Sequence, residues 1–498
     1  MHNTRRRLAV TVACVVPALI GLAACTRFGA TLSRPSDPVV LAGSAVPKLL
    51  GGAPSHVVGF AWDGTDWHQV PVQVDERDLV NPGQIYHRPT TAWPAGYKML
   101  VFTPPATTSA GYTSAPTYTP SDSDPTFDGN DELSFLANDT GKQADGSVAP
   151  PAGVDATTRQ QVKATDPLKT DDIGYLYLFR SSTLTGGSAG TSGVKYTFSL
   201  DSGNYLTTYK MGDASLSPNN SFNFNPEHST VVTPTYRETF GDRWLNNGYA
   251  VTGGGGTGAT LLERSHFYAT VGCGRNEDTF DGSMNNPGEG AFIVNISGPV
   301  RGIRSYLGAN SYLYTANTHF FYPGREDLVT DVRGHAGLPG YGSADDYVTG
   351  TASLKYSDPK NTGVPIDGTQ DTVTPIGYTT GSTPPPMWQM VSGNQGSVVT
   401  VRTLDTDITG LNITTVYQDR NAASPAQCTG DAAAYGQNGV NLLSPVNNVP
   451  VTDPTLTATP AKLTTSRFRY FQGPNLSTTD AAKLDVQARN PLVTTVTG

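Results

Sequence analysis

This 498-residue sequence predicts an all-β fold: a small N-terminal β module followed by a large antiparallel β-sandwich. Three observations carry the prediction. Glycine (54) and proline (37) are abundant while charged residues make up only 15%, a balance suited to many short strands joined by turns. Runs of Ala, Leu, Glu and Lys, which favour helix, are rare. Apolar residues recur with period two, or in short runs bounded by Gly, Pro, Asn or Asp. The length allows two or three domains, or one large β domain with elaborate loops.

Taken in order, the first module opens at Val39-Val40-Leu41. The run 57–62 reads as a strand that turns at Asp63-Gly64. Val70, Val72 and Val74 alternate with Pro71, Gln73 and Asp75, the period of a half-buried strand. Another apolar run, 98–102, is closed by Pro104-Pro105. Residues 106–124 are Thr, Ser, Pro and Tyr with little periodicity and read as an exposed loop. The stretch 127–137 is an acidic turn feeding a strand. Residues 142–171 are polar and contain proline, which reads as a linker and separates a module at 39–150 from a sandwich at 170–498.

Beyond it, 175–179, 194–200 and 205–211 read as strands spaced by Gly/Ser turns. The tract Gly253 to Gly256 is a flexible turn without the strand-to-helix context or GK[ST] ending of a phosphate loop. The longest β-rich block, 291–333, predicts a four-strand meander over 292–296, 300–307, 312–322 and 328–332. In its third strand Asn317, His319 and Phe321 share one face. Strands at 397–402, 411–417 and 466–471 follow, between long loops at 358–386 and 421–454. No repeat of fixed period is visible, so a propeller or solenoid is not supported.

Ahead of all this, Arg5-Arg6-Arg7 precede an uncharged run of 17 residues, 8–24, that ends in small residues before Cys25. That is the layout of a secretory signal. A spanning helix needs about 20 apolar residues, and Pro17 interrupts this shorter run. Leu22-Ala23-Ala24-Cys25 resembles the lipobox of bacterial lipoproteins. The resemblance covers the first 25 residues. It implies that 1–24 are removed, that the Cys25 thiol is acylated, and that the protein is extracytoplasmic, anchored to the bacterial cell membrane by an N-terminal lipid. The alternative is an ordinary signal peptide cut nearby, with Cys25 incidental. Residues 25–38 then read as a tether. The segment 67–78, with the acidic turn and strand that follow, is similar to a recurring pattern in secreted bacterial all-β proteins of unassigned function.

Loss of 1–24 removes three Arg and no acid, leaving 30 basic against 42 acidic residues, a net charge of -12. Such a surface argues against nucleic acid, whose affinity comes from Lys and Arg on phosphates. It also leaves lipid at Cys25 as the means of membrane attachment. Of four cysteines, only Cys273 and Cys428 lie in the exported body. In an oxidising compartment they most simply form one disulfide, worth up to about 5 kcal/mol for so large a loop; two free buried thiols are the alternative. Neither sits in a Cys-x-x-Cys or Cys/His cluster that would suit a metal.

Three constellations could carry chemistry. The acidic turn gathers Asp122, Asp124, Asp128, Asn130, Asp131 and Glu132 within 11 positions, an oxygen-rich set suited to Ca²⁺. Asp124, Thr126, Asp128 and Gly129 fit the first half of an EF-hand loop, but Phe135 stands where its bidentate Glu belongs. The plain reading is a solvated turn whose Asp and Asn side chains bond their own backbone. The second set is Arg301, Arg304, His319, Arg325, Glu326, Asp327, Arg333 and His335. His319 and Glu326 suit general acid–base work, and Arg304 suits holding a carboxylate or sugar hydroxyls; surface ion pairs are the plain reading.

The third is aromatic content: 23 Tyr, many in polar, Gly-rich settings, and 5 Trp, residues that stack on sugars as readily as they fill cores. A glycosidase would need two paired carboxylates, for which Glu238, Asp242, Glu263, Glu277, Asp278, Glu326 and Asp331 are available. A His-Glu-x-x-His motif is absent. The expectation is a lipid-anchored protein that binds polysaccharide or cell-wall glycan through an aromatic-lined sheet face. The alternatives are a carbohydrate-active hydrolase or lyase near Arg304 and His319, and a structural surface protein with calcium-stiffened loops. A groove lined by rings alone favours binding, whereas paired acids favour hydrolysis.

Overall fold

Proline has no N–H to give to a ladder, and at Pro71 the alternating segment predicted as one strand breaks into two. Trp67–Val70 joins a five-stranded sheet and Gln73–Asp75 a three-stranded one. In this computed structural model, residues 27–87, 96–105, 112–201, 203–206, 227–241, 245–269, 291–308, 315–333, 340–349, 353–421, 433–445, 449–452 and 457–498 are described. They form an all-β protein of several antiparallel sheets. Cys25, Cys273, Cys428 and His335 lie outside them.

The five-stranded sheet runs Val493–Thr497, Val154–Asp166, Lys169–Ser181, Val57–Trp62, Trp67–Val70. Pro38–Ala42, Glu132–Leu136 and Gln73–Asp75 make the three-stranded sheet, and Val39, Leu41, Val57, Val72, Phe127, Leu133, Leu176 and Leu178 fill the core between them. The span 142–171 is therefore not a linker: it holds the 13-residue strand Val154–Asp166. Its inward positions alternate as expected for a strand, but three of the five are Thr158, Gln160 and Asp166, which hides the pattern from a hydropathy reading. The 106–124 loop likewise contributes Thr113–Ala115 to a sheet edge.

The main body is a ten-stranded sheet. Its central strands, in spatial order, are Gly396–Thr406, Leu463–Gln472, Arg325–Asp331, Ala316–Tyr322, Gly302–Leu307 and Ala291–Ser297. The meander predicted over 291–333 supplies four of them. A second layer faces this sheet, made of a four-stranded sheet that ends at Leu245–Val251 and a five-stranded sheet that begins at Leu262–Ala269. Leu261 N donates to Tyr249 O at 2.8 Å where the two run side by side. Between the layers, Tyr236, Tyr249, Val251, Tyr347, Val398 and Phe471 are buried, with Tyr236 stacked on Phe471 at 3.9 Å. Each such side chain contributes about 1.5–3 kcal/mol by leaving water.

Outside the ten-stranded sheet lies a helix the composition did not suggest, Thr478–Arg489, capped by the Ser477 hydroxyl accepting from Asp480 N. Ala481 and Ala488 seat it on Met390, Val399, Val401 and Tyr470. The first module is joined to the main body at the turn after Ala291–Ser297. Gln73 Oε1 accepts from the N–H groups of Val300 and Arg301, each at 2.9 Å. The Arg301 guanidinium reaches Asp75 at 2.7 Å and Glu132 at 2.8 Å. A Cβ at Gly298 would stand 2.3 Å from Gln73 Cδ, so glycine is what lets the two chains approach.

Candidate functional site

Strand register assembles the site on the inner face of the ten-stranded sheet. One row across five neighbouring strands reads Arg304, His319, Leu328, Arg467, Arg402. The rows beside it read Gly302, Phe321, Glu326, Arg469, Thr400 and Tyr306, Asn317, Thr330, Thr465, Leu404. Because side chains alternate along each strand, all of these point at the facing layer, which presents Ser265, Asp345, Glu238, Asn246 and Tyr249.

His319 and Glu326 are brought together as the sequence suggested. His319 Nδ1 lies 2.7 Å from Glu326 Oε1, and Nε2 lies 3.3 Å from the Tyr306 hydroxyl. Burial pushes the imidazole down to about 4 even though Glu326 pulls the other way, so it is neutral at pH 7. Glu326 feels the opposite balance. Burial would raise it, but Arg469, then Arg467, and the His319 hydrogen bond hold it at about 2. Arg469 Nη1 meets Glu326 Oε2 at 2.6 Å, and its Nη2 meets Asp345 Oδ1 at 2.8 Å and Ser265 Oγ at 3.1 Å. Asp345 also accepts from Ser265 Oγ at 2.7 Å; against its burial, Arg469, Arg467 and Arg402 keep it well below the usual carboxylate range.

Arg304 is a neighbour of His319 in the ladder but is committed elsewhere. It forms a bidentate pair with Glu227, donates to Tyr196 OH at 3.1 Å, and packs between Phe240 and Phe292. The other charges of the predicted set part company. Arg301 faces the first module, and Arg325 pairs with Asp327 at 2.6 Å on the outer side of the sheet.

Over the buried polar floor lies a cavity of about 110 Å³. Asn246, Ser265, His266, Tyr306, Asn317 and His319 form the floor, and Tyr341, Met387, Leu404 and Ile413 form an apolar wall. The rim is half-buried or exposed at Tyr378, Pro384, Thr403, Ser466 and Arg489. Arg402 and Arg467 stand in the wall, while no carboxylate lines the cavity among the described residues.

The acidic turn lies far along the chain in the first module, and its oxygens serve the backbone. Asp124 Oδ1 accepts from Thr126 N and Oγ1, Asp128 Oδ1 from Asn130 N, and Asp131 from Asp128 N and Arg77 N. Among the described residues no group of three or more His, Cys, Asp or Glu is arranged to hold a metal. Asp131 rises to about 6, burial outweighing the two backbone hydrogen bonds it receives.

Arg402, Arg467, Arg469, Asp345 and Ser265 were missed from sequence. The signal for two of them was present: Arg467 and Arg469 alternate with Phe468 and Tyr470, a strand with guanidiniums on one face and rings on the other. No known family matches the chain, and no curated protein matches it either.

One pH effect follows. With the His319 folded value near 4 and an unfolded value near 6.5, only the unfolded chain binds this proton between those limits. The imidazole therefore has no effect on stability above about pH 6.5, and its penalty grows as pH falls to about 4, reaching about 3 kcal/mol. Denaturant titrations at pH 7 and pH 4.5 should show a smaller acid loss in His319→Asn than in the wild-type chain. Equal losses in both would contradict the assignment.

Proposed function

We propose that this is a lipid-anchored extracytoplasmic β-sandwich protein that binds one end of a polysaccharide chain in the cavity between its layers. The observation that carries this reading is the lining: Tyr306, Tyr341 and Tyr378 beside Asn, Ser and His groups, with no acid facing the space among the described residues. Rings and neutral hydrogen-bonding groups suit a sugar, whereas hydrolysis needs two free carboxylates across the scissile bond. Glu326 and Asp345 lie behind the floor and are neutralised by Arg469 and Arg467. The cavity of about 110 Å³ is smaller than an engineered one of about 150 Å³ that takes a benzene ring, so it takes only part of a terminal sugar while the rest of the chain stays at the rim.

A glycan array followed by calorimetry tests it. Wild-type protein should retain a polysaccharide, and Tyr378→Ala or Tyr341→Ala should weaken binding about ten- to a hundredfold, the value of one ring surface. No retained glycan at millimolar concentration would end the proposal. For the anchor, Cys25→Ser should move the protein from the membrane pellet to the soluble fraction.

A lyase reading has one observation in its favour, the neutral His319 imidazole held by Glu326 and facing the Tyr306 hydroxyl, a pair suited to taking a proton. Release of new chain ends that stops in His319→Asn while binding persists would select it. Calcium at Asp124, Asp128, Asn130 and Asp131 would show as a melting temperature lowered by chelator; the turn hydrogen bonds described above stand without it.

A further inference from the structure

The shell around the cavity leaves one guanidinium poorly satisfied. Arg469 sits on both Glu326 and Asp345, at 2.6 and 2.8 Å. Arg467 reaches the same two carboxylates, each at 3.4 Å. Arg402 is left over. Its Nη1 donates to Gln389 Oε1 at 2.8 Å, but Nε and Nη2 find no hydrogen-bond acceptor among the described residues. Asp345 Oδ2 stands 3.8 Å from Nη2, beyond a hydrogen bond, and the Arg402 side chain is only 9% exposed.

The remaining carboxyl does not fill the gap. Glu238 takes the Asn246 amide at 2.8 Å and lies 3.6 Å from Arg469. Burial, reinforced by the charge of Glu326, lifts Glu238 well above the usual range. Burial, opposed by Asp345 and aided by the charges of Arg467 and Arg469, brings Arg402 down to about 10. Arg469 and Arg467 thus hold Glu326 and Asp345, while Arg402 keeps two unfilled donors at the cavity wall. A buried guanidinium with unfilled donors is costly, and an anion delivered beside it is bound in proportion.

Building on the binding reading above, we propose that the cavity is selective for an acidic sugar, whose ring carboxylate is drawn to Arg402 and Arg467 while its carbon face rests on the wall of Tyr341 and Leu404. Arg402 lies in the wall and not at the rim, so it acts on the group that enters first, the end of the chain.

Calorimetry with trisaccharides ending in glucuronate, galacturonate or mannuronate, each against its neutral counterpart, tests this. One acidic trisaccharide should bind at least about tenfold tighter than its neutral form, the scale of a charged hydrogen bond. Arg402→Gln should bring that ratio to near one while melting at or above the wild-type temperature, because it removes a buried charge with two unfilled donors; Arg402→Lys should restore part of the preference. A salt bridge with a merely structural role would instead lower the melting temperature in Arg402→Gln and leave the ratio unchanged. Equal binding of acidic and neutral forms overturns the acidic-sugar proposal and leaves polysaccharide binding intact. Absence of binding by both series overturns both readings. Acetate competing as well as the sugar acid would show an anion site with no sugar recognition, and also overturns it.

Discussion

Arg469→Ala is expected to cost about 3–5 kcal/mol of folding free energy, the loss typical of stranding buried charges. A domain's whole stability is commonly about 5–15 kcal/mol, so the variant should unfold at much lower denaturant or fail to accumulate. The reason lies in the number of groups that depend on one guanidinium. Arg469 is fully buried, bonds Glu326, Asp345 and Ser265, and lies over the Tyr249 ring at 4.7 Å. Removing it leaves Arg467, whose contacts to the two carboxylates are both 3.4 Å, as their main counter-ion. Lysine should recover less than half the loss, since a single ammonium does not reproduce a fork that serves two carboxylates. Arg469→Met combined with Glu326→Gln and Asp345→Asn should be more stable than Arg469→Ala alone, because the stranded charges leave with their partner. An Arg469→Ala chain within 1 kcal/mol of wild type in equilibrium unfolding, on the scale of a surface pair, would show that the network is not the brace inferred here.

Arg301→Leu should have a comparable effect at the other end of the sheet, also about 3–5 kcal/mol. Here the loss is of attachment between modules. The guanidinium bonds Asp75 and Glu132 from the first module, touches the Tyr322 hydroxyl at 3.3 Å and lies 4.7 Å from the Phe320 ring centre. Burial raises the Asp75 carboxyl although Arg301 lowers it, so without Arg301 this acid should take up a proton. That gives the variant a signature a simple cavity would lack: its stability should recover in part as pH falls toward 5. A cycle with Asp75→Asn measures the pair directly, and a coupling energy below about 0.5 kcal/mol would refute the clamp. Gly298→Ala acts on the same joint and should destabilise by about 1–3 kcal/mol, the range for an intruding methyl group.

How far the sequence could be read depended on which faces of a strand are buried. Val57–Trp62 was legible because its apolar run is uninterrupted, and Glu132–Leu136 because Leu133, Phe135 and Leu136 follow an acidic turn. Val154–Asp166 was not, because Gln160 and Asp166 point inward: Gln160 accepts from Lys48 N, and Asp166 meets Arg34 at 3.3 Å. The contact of His319 with Glu326 was within reach, since a tight turn at Pro323-Gly324 sets the two strands face to face. The cavity was not, because its walls come from strands more than a hundred residues apart, and Asp345 gives no local sign that Arg469 is its partner. Long-range register, which no short window contains, decided the site.

The pairing of Val493–Thr497 with Val154–Asp166 has a consequence for how the protein is made. Val496 packs into the core of the first module, and Val162 and Ala164, both fully buried there, have the last strand as their neighbour. A chain emerging from the ribosome thus holds an unfinished first sheet until residue 497 arrives. Throughout that interval it displays a bare strand edge, the kind of surface that chaperones shield and that nascent neighbours can invade.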